Sequence, residues 1–525
     1  MVLCLNVAIS PAAKTNSDFE VHMENDFSVV SNHITGPGQS QSYLTRGVNY
    51  LEALSVHGGG KAGDLAYRFN VGGKLTDDEN LDTNQYSLTH FNVSFDTMEQ
   101  RFAVGDILPF FSDYSLSSPL KGASYEYIAD HSLWVPQITM LYGHSLPRWN
   151  GFWGGAEEEV LNRQVYGARA MYHLPFSLKA GINVVGSQDS DPKAPGTAMY
   201  DNTACAVDFH YQPAPGLSFA GESAFNATRV ESQNQEVEED LDGYALRFRG
   251  ERQGHLLRIA LEYERVSPEF DNPLGSALSD REKLKFAGQY RFNQKIQAYM
   301  NFLWFRDNLA DQKLAGRTDV WRPEVGIACK NLFQRPHALT RISYRKEIAD
   351  CDSEKLERDD RFKINYRDSF GIIETNSSLG INLRNHANAA QDNAEYIYNT
   401  SLGSQLSLLG ASLKPNLSLG GWTLKEELST DEDRGRQYAL GLGIDLPFYR
   451  ITGAMSVGVN ELEIAEGDDS VKSFGHFDIS WQPAPLSPLN EMMLYLKGLY
   501  NDFSFSTRTE DFREEKIMAG MKIKY

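Results

Sequence analysis

Few residues in this chain stand at spacings that would catalyse a reaction. The sequence has no Gly-x-Ser-x-Gly, no His-Glu-x-x-His, no Walker A loop and no glycine fingerprint opening a helix. Glu157-Glu158-Glu159 lies beside Trp149, Trp153 and Gly154-Gly155. Grouped carboxylates can do acid–base work or hold Ca²⁺, but an acidic run in a polar segment is more simply a solvated loop. His90, His210 and His476 each lack a partner at ligand spacing. Cys4, Cys205, Cys329 and Cys351 form no Cys-x-x-Cys or Cys-x-x-Cys-His, which argues against a zinc ribbon, a thioredoxin motif and attached c-type haem. That spacing leaves open a pairing of Cys205 with Cys329 or Cys351 in an oxidising compartment. Gly58-Gly59-Gly60 reads as a tight turn, because no helix pattern follows it to make a phosphate cradle. The expectation is a protein that is not an enzyme, with no metal, no cofactor and no nucleic-acid partner.

The informative chemistry is a set of cations that alternate with apolar residues. Arg247 and Arg249 interleave with Tyr244, Leu246 and Phe248; Arg258 precedes Ile259; Lys283, Lys285 and Arg291 interleave with Leu284, Phe286 and Tyr290. Arg341, Arg345, Lys363 and Arg367 follow the same rule. Period-two alternation puts cations and apolar residues on opposite faces of strands. These ten residues are expected to form one basic wall, partly balanced by Glu262, Glu264 and Glu324.

The elements that carry the wall are strands from end to end. Ile517, Ala519, Met521, Ile523 and Tyr525 share a face opposite Lys516, Met518, Gly520, Lys522 and Lys524, and Phe477, Ile479 and Trp481 alternate with His476, Asp478 and Ser480. The chain has 25 Tyr, 28 Phe and 43 Gly, yet its mean hydropathy is −0.43. No run of about 20 apolar residues marks a membrane helix. An average of this kind fits strands with one face toward lipid and one toward water.

The connections alternate too. Short turns at Pro175–Ser177, Gln212–Gly216, Gly250–Gly254, Phe292–Lys295, Leu409–Ala411 and Pro447–Arg450 take turns with long polar segments such as Ser187–Asn202, Arg229–Gly243, Ser267–Arg281, Lys346–Asp360 and Asp502–Glu514. Outer-membrane barrels sort loops in this way, with short periplasmic turns and long extracellular loops. Both termini then fall on the short-turn side, which requires an even strand count, about 26. The expected fold is all-β: a single transmembrane antiparallel up-and-down barrel over residues 16–525, after a signal-peptide remnant or N-terminal tail at residues 1–15. The long loops are acidic, with six carboxylates in Arg229–Gly243, so much of the net charge of −20 gathers on one rim. Tyr211 and Trp481 precede the matching turns of VDFHYQPAP and FDISWQPAP, where an interfacial aromatic girdle belongs.

Taken together, the chain resembles the superclass of large Gram-negative outer-membrane β-barrels. Its C-terminal Tyr525 is similar to the signal read by the barrel-assembly machinery of that class. A narrower resemblance, to the early barrel of fimbrial ushers, lies in Gly105-Asp106, Phe111, Leu120-x-Gly122, Pro136-x-Ile138 and Gly143, although an usher's plug and its periplasmic and C-terminal domains do not fit in this length. The resemblance implies a location in the outer membrane, contact with its lipid and with the assembly machinery, and no enzyme activity. A bore of this width needs occlusion, and Ser267–Arg281 and Trp149–Leu161 are the expected constrictions. The basic wall points to a channel or exporter for an anionic solute or polymer. The alternative is a sheath around a plugging partner protein, such as a lipoprotein or multihaem cytochrome.

Overall fold

The computed structural model describes residues 19–525 apart from 129–134, 147, 150, 152–161, 191–197, 233–237, 312–315, 353, 387–391, 427–431, 466 and 485–490. The expected 1–15 tail lies outside the described residues. One antiparallel sheet contains 27 strand segments, and Asn393–Ser404 and Leu406–Leu408 are one strand interrupted at Gln405. The barrel therefore has 26 strands. Each pairs with its neighbours in sequence, and Glu20–Thr35 closes the ring on Phe512–Lys524, from Glu24↔Lys524 to Thr35↔Arg513. Closure leaves no free strand edge. The Tyr525 amide donates to the Met23 carbonyl at 2.8 Å, and the Met23 amide donates back at 3.2 Å, so both ends lie at the short-turn rim.

Several segments read as loops are extensions of strands. The strand from Leu339 runs to Cys351 and the next starts at Glu354, within the expected loop Lys346–Asp360. Likewise Leu217–Ser232 and Glu238–Gln253 take up most of Arg229–Gly243. Acidic and polar residues depress strand propensity in sequence, but a ladder already begun in the wall continues past it through backbone hydrogen bonds that charge does not disturb. Gly58-Gly59-Gly60 is also not a turn. It lies inside Gly47–Ala62, and the reversal comes at Gly63, with φ of +64°.

Side chains of one parity carry the barrel's large exposed apolar groups, among them Tyr244, Leu246, Phe248, Leu261, Met300, Trp321, Val325, Leu440 and Val457. The other parity is mostly polar or small, with a few larger apolar residues such as Leu303, Ile397 and Trp422, and it is the concave side. The segment Leu108–Pro119 leaves the strand Gln100–Ile107 and buries Tyr114 against Ala206, Ala224 and Ala245, as many as seven strands along the wall. At ~4.8 Å per strand such reach requires a chord across the interior. Ion pairs and loop contacts named below follow from this alternation.

Candidate functional site

Two loops fold onto the inner wall and pack against each other. Phe111 and Leu116 of Leu108–Pro119, with Leu274 of Ser267–Asp280, cover Ile107, Leu120, Leu141, Val165 and Val185. Tyr114 and Phe270 meet at 6.0 Å between centroids over Ala206, Ala224, Ala245 and Val266. Polar ties join the loops: Asn272 Nδ2 donates to the carbonyls of Tyr114 (2.6 Å) and Ser115 (2.9 Å), Ser117 N to Leu274 O (3.0 Å) and Ser276 N to Asp113 O (2.8 Å). To the wall, the Asp271 carbonyl accepts from Asn202 (3.1 Å), Asn226 (3.1 Å) and Thr228 (2.8 Å), and Glu222 accepts the Tyr114 amide at 3.0 Å. Gly243 admits the loop: a Cβ there would lie 2.3 Å from Phe270 N and Cα, backbone atoms that cannot step aside. Burial pushes the Tyr114 hydroxyl above its ordinary range, and burial raises the Asp271 carboxyl against the opposing pull of Arg163.

Ser267–Arg281 is thus one of the expected constrictions, while Trp149–Leu161 lies almost wholly outside the described residues. Leu108–Pro119 was missed as an inward loop. Its signal was present: Leu108, Phe110, Phe111, Tyr114 and Leu116 are too apolar for a solvated connection.

The ten predicted cations all take the inward parity, and they fall into two groups. In the first, acids on neighbouring strands answer the charge. Arg247 pairs with Asp113 and with Glu262 (3.4 Å), Lys283 with Glu264, Lys285 with Glu262 (3.5 Å), and Arg249 and Arg258 with Glu251 at 3.3 and 2.8 Å. Register explains it: Arg247 lies opposite Glu264 and Arg249 opposite Glu262, while Glu262 and Glu264 face Lys285 and Lys283 across the next ladder. This half is a salt-bridged belt, so the single basic wall read from sequence is corrected here. Glu251 was not singled out in sequence, because only the hairpin brings it next to Arg258.

The second group keeps its charge. Arg341, Arg345, Lys363 and Arg367 make no ion pair among the described residues, and neither does Arg291. The first four share the hairpin of Leu339–Cys351 and Glu354–Phe370. There Arg345 faces Arg361, Ser343 faces Lys363, Arg341 faces Asn365 and Leu339 faces Arg367. Successive levels are two residues apart, so one cation stands every ~6.8 Å over about 20 Å. Arg361, Arg322 and the acids Glu347 and Asp359 cap its upper end, with Arg322 forked onto Glu347 at 2.7 Å twice and Arg361 held to Asp359 at 2.8 Å. Glu324 stands opposite Arg345 across the neighbouring ladder, so Arg341, Lys363 and Arg367 are the cations with no acid opposite them, and they form an axial file that runs toward the short-turn rim.

His90, His210 and His476 take inward positions, and among the described residues no three His, Cys, Asp or Glu gather as a metal site. Cys205 and Cys329 are free thiols, so Cys205 pairs with neither Cys329 nor Cys351.

By architecture the described residues form a large closed antiparallel β-barrel. No family model matches the chain, and no curated protein matches it in sequence. Solved structures of similar outline include the siderophore receptor PirA from Pseudomonas aeruginosa (TM-score 0.46, 8% identity, 96% of this chain and 80% of that one), the P pilus usher (PapC) translocation pore (0.35, 10%, 95% and 99%) and the outer membrane protein opdK from Pseudomonas aeruginosa (0.28, 9%, 96% and 99%). At such identities and scores the likeness is one of barrel architecture alone.

Proposed function

We propose that the protein is an outer-membrane channel whose lumen handles anions, and that Arg341, Arg345, Lys363 and Arg367 attract them. The observation that carries this reading is the axial file on one hairpin, in which Arg341, Lys363 and Arg367 face no acid and Arg345 alone stands opposite one, Glu324. The apolar outer parity supports a lipid surround, since a charge there would cost about 2–4 kcal/mol near the bilayer midplane. Short turns would then face the periplasm and the acidic rim the outside, with Tyr525 serving the assembly machinery. The paired loops narrow one side of the bore.

A cation about 5 Å from a passing monovalent anion contributes about 0.8 kcal/mol in water-like dielectric, and screening beyond about 8 Å keeps distant cations from adding fully. Removing three of the four should cost about 1 kcal/mol, roughly a five-fold fall in chloride-over-potassium permeability. The test is the zero-current potential of the purified barrel in planar bilayers under a KCl gradient, wild type against Arg341→Gln/Lys363→Gln/Arg367→Gln. Cation selectivity in the wild type, or no change in the triple variant, would refute the reading. A barrel that conducts only after a bound protein is stripped away would replace it with the sheath.

A further inference from the structure

Beside the basic file the inner wall changes character. Across the strands Ile373–His386, Asn393–Ser404, Ala411–Glu426, Glu432–Leu446 and Ile451–Glu463, the rows level with Lys363 and Arg341 bear mainly amide, hydroxyl and glycine positions, while Glu395, level with Arg345, pairs with Arg384 at 3.8 Å. Lys363 faces Gly380, which faces Ile397, which faces Trp422; one level nearer the short turns, Asn365 faces Ser378, then Asn399, Gly420 and Gln437. Trp422 is the one tryptophan among the described residues of this wall. A Cβ on Gly435, opposite it, would come within 2.3 Å of the indole Nε1, so the indole packs against the bare backbone of the next strand on the inward parity. Asn399 lies over Gly420 in the same manner, 2.5 Å from where a Cβ would be. Among the described residues the amides of Asn399 and Gln437 make no hydrogen bond within the protein, and both are exposed.

We propose that this wall and the file beside it form one binding surface for an acidic polysaccharide. The proposal rests on the anion-channel reading and gives it a substrate class. A flat indole face takes the C–H face of a pyranose ring, free amides bond ring hydroxyls through both donor and acceptor, and Lys363 and Arg341 meet the carboxylates of a uronate chain. A small inorganic anion would use the cations and leave Trp422 and the amides idle. Poly-glutamate or polyphosphate would use the charge and bring neither a pyranose face to Trp422 nor ring hydroxyls to the amides.

The test is blockade of the open channel by polymers added to the short-turn side. The probes are oligogalacturonate, poly-glutamate of the same charge and neutral dextran. Oligogalacturonate should block at a concentration at least ten-fold below poly-glutamate, and dextran should be weaker than either. Trp422→Ala and, separately, Gln437→Ala should each weaken oligogalacturonate blockade about five-fold and leave chloride selectivity unchanged. Equal blockade by oligogalacturonate and poly-glutamate overturns the saccharide inference, and so does unchanged oligogalacturonate blockade in both variants. If selectivity stays anionic in either case, the channel reading survives. Cation selectivity in the wild type defeats that reading instead.

Discussion

Replacing Phe270 by alanine should release the inner loops without unfolding the barrel. Phe270 is 1% exposed, and its ring touches Tyr114 and the alanine floor of Ala206, Ala224 and Ala245. Truncating a buried Phe to Ala costs about 3–5 kcal/mol through lost burial and the cavity left behind. The strand ladders take no part in that contact, so the loss falls on Leu108–Pro119 and Ser267–Asp280. Around that contact the loops' remaining ties are a handful of hydrogen bonds, each with a net value of about 0.5–1.5 kcal/mol, while Phe111, Leu116 and Leu274 keep their separate cluster on the wall. Phe270→Ala should therefore expose Ser267–Asp280 to protease and raise single-channel conductance and current noise, while the heat-modifiable folded barrel accumulates normally. Phe225→Ala is the control: this side chain is 62% exposed on the outer parity and should leave both readouts as in the wild type. Unchanged protease protection and conductance in Phe270→Ala would refute the view that this ring holds the loops.

Other expectations follow from the same geometry. Glu264→Gln should destabilise the barrel measurably in urea unfolding, by less than the about 3–5 kcal/mol of a fully stranded buried charge, because Lys283, 11% exposed, keeps only the longer 3.9 Å pair with Glu262; Lys285→Gln, at a half-exposed position, should cost far less. Leu246→Arg on the outer parity should cost about 2–4 kcal/mol and lower the yield of folded barrel in vesicles, whereas Arg249→Gln, its inward neighbour, should fold normally. In the connection between Leu65–Thr76 and Tyr86–Asp96, burial alone would raise the Asp82 carboxyl, but bonds from Lys74, Ser87 and the Asn84 amide outweigh it and hold it at about 2. A lowered carboxylate stabilises above its ordinary value of 3.8 and loses that contribution as pH falls toward about 2. Amide protection factors in this loop, taken relative to the intrinsic exchange rate at each pH, should thus hold down to about pH 4 and fall below it, and Asp82→Asn should lower them already at pH 7.

The sequence was most legible where a side chain's role depends on its own strand alone. Alternation around Arg247 or Lys363 gives the face, and turn parity gives the even strand count, because both are local properties repeated along the chain. What a residue meets across the ladder is not local. Glu251 neutralises Arg258, and Glu262 and Glu264 take up Lys285 and Lys283, only because the registers set them side by side, so the paired half of the basic wall could not be told from the unpaired half. Loop ends were overdrawn at Lys346–Asp360 for a related reason: acidic composition reads as a loop, although the ladder carries on through it. The inward course of Leu108–Pro119 depends on a floor built by Ala206, Ala224 and Ala245, about a hundred residues later in the chain.

The most direct test of the basic file is charge-dependent modification of a single cysteine at Ser343, which faces Lys363 at the middle of the file. In a background freed of the four native cysteines, Ser343→Cys in the bilayer-reconstituted barrel is exposed to anionic and cationic methanethiosulfonates of similar size, with Ser456→Cys on the neutral wall as reference. The anionic reagent should react several-fold faster than the cationic one at position 343, relative to their ratio at 456, and the excess should shrink in 1 M salt. Equal ratios at the two positions, or a cysteine at 343 that neither reagent reaches, would contradict the claim that the file lines the lumen and draws anions to it.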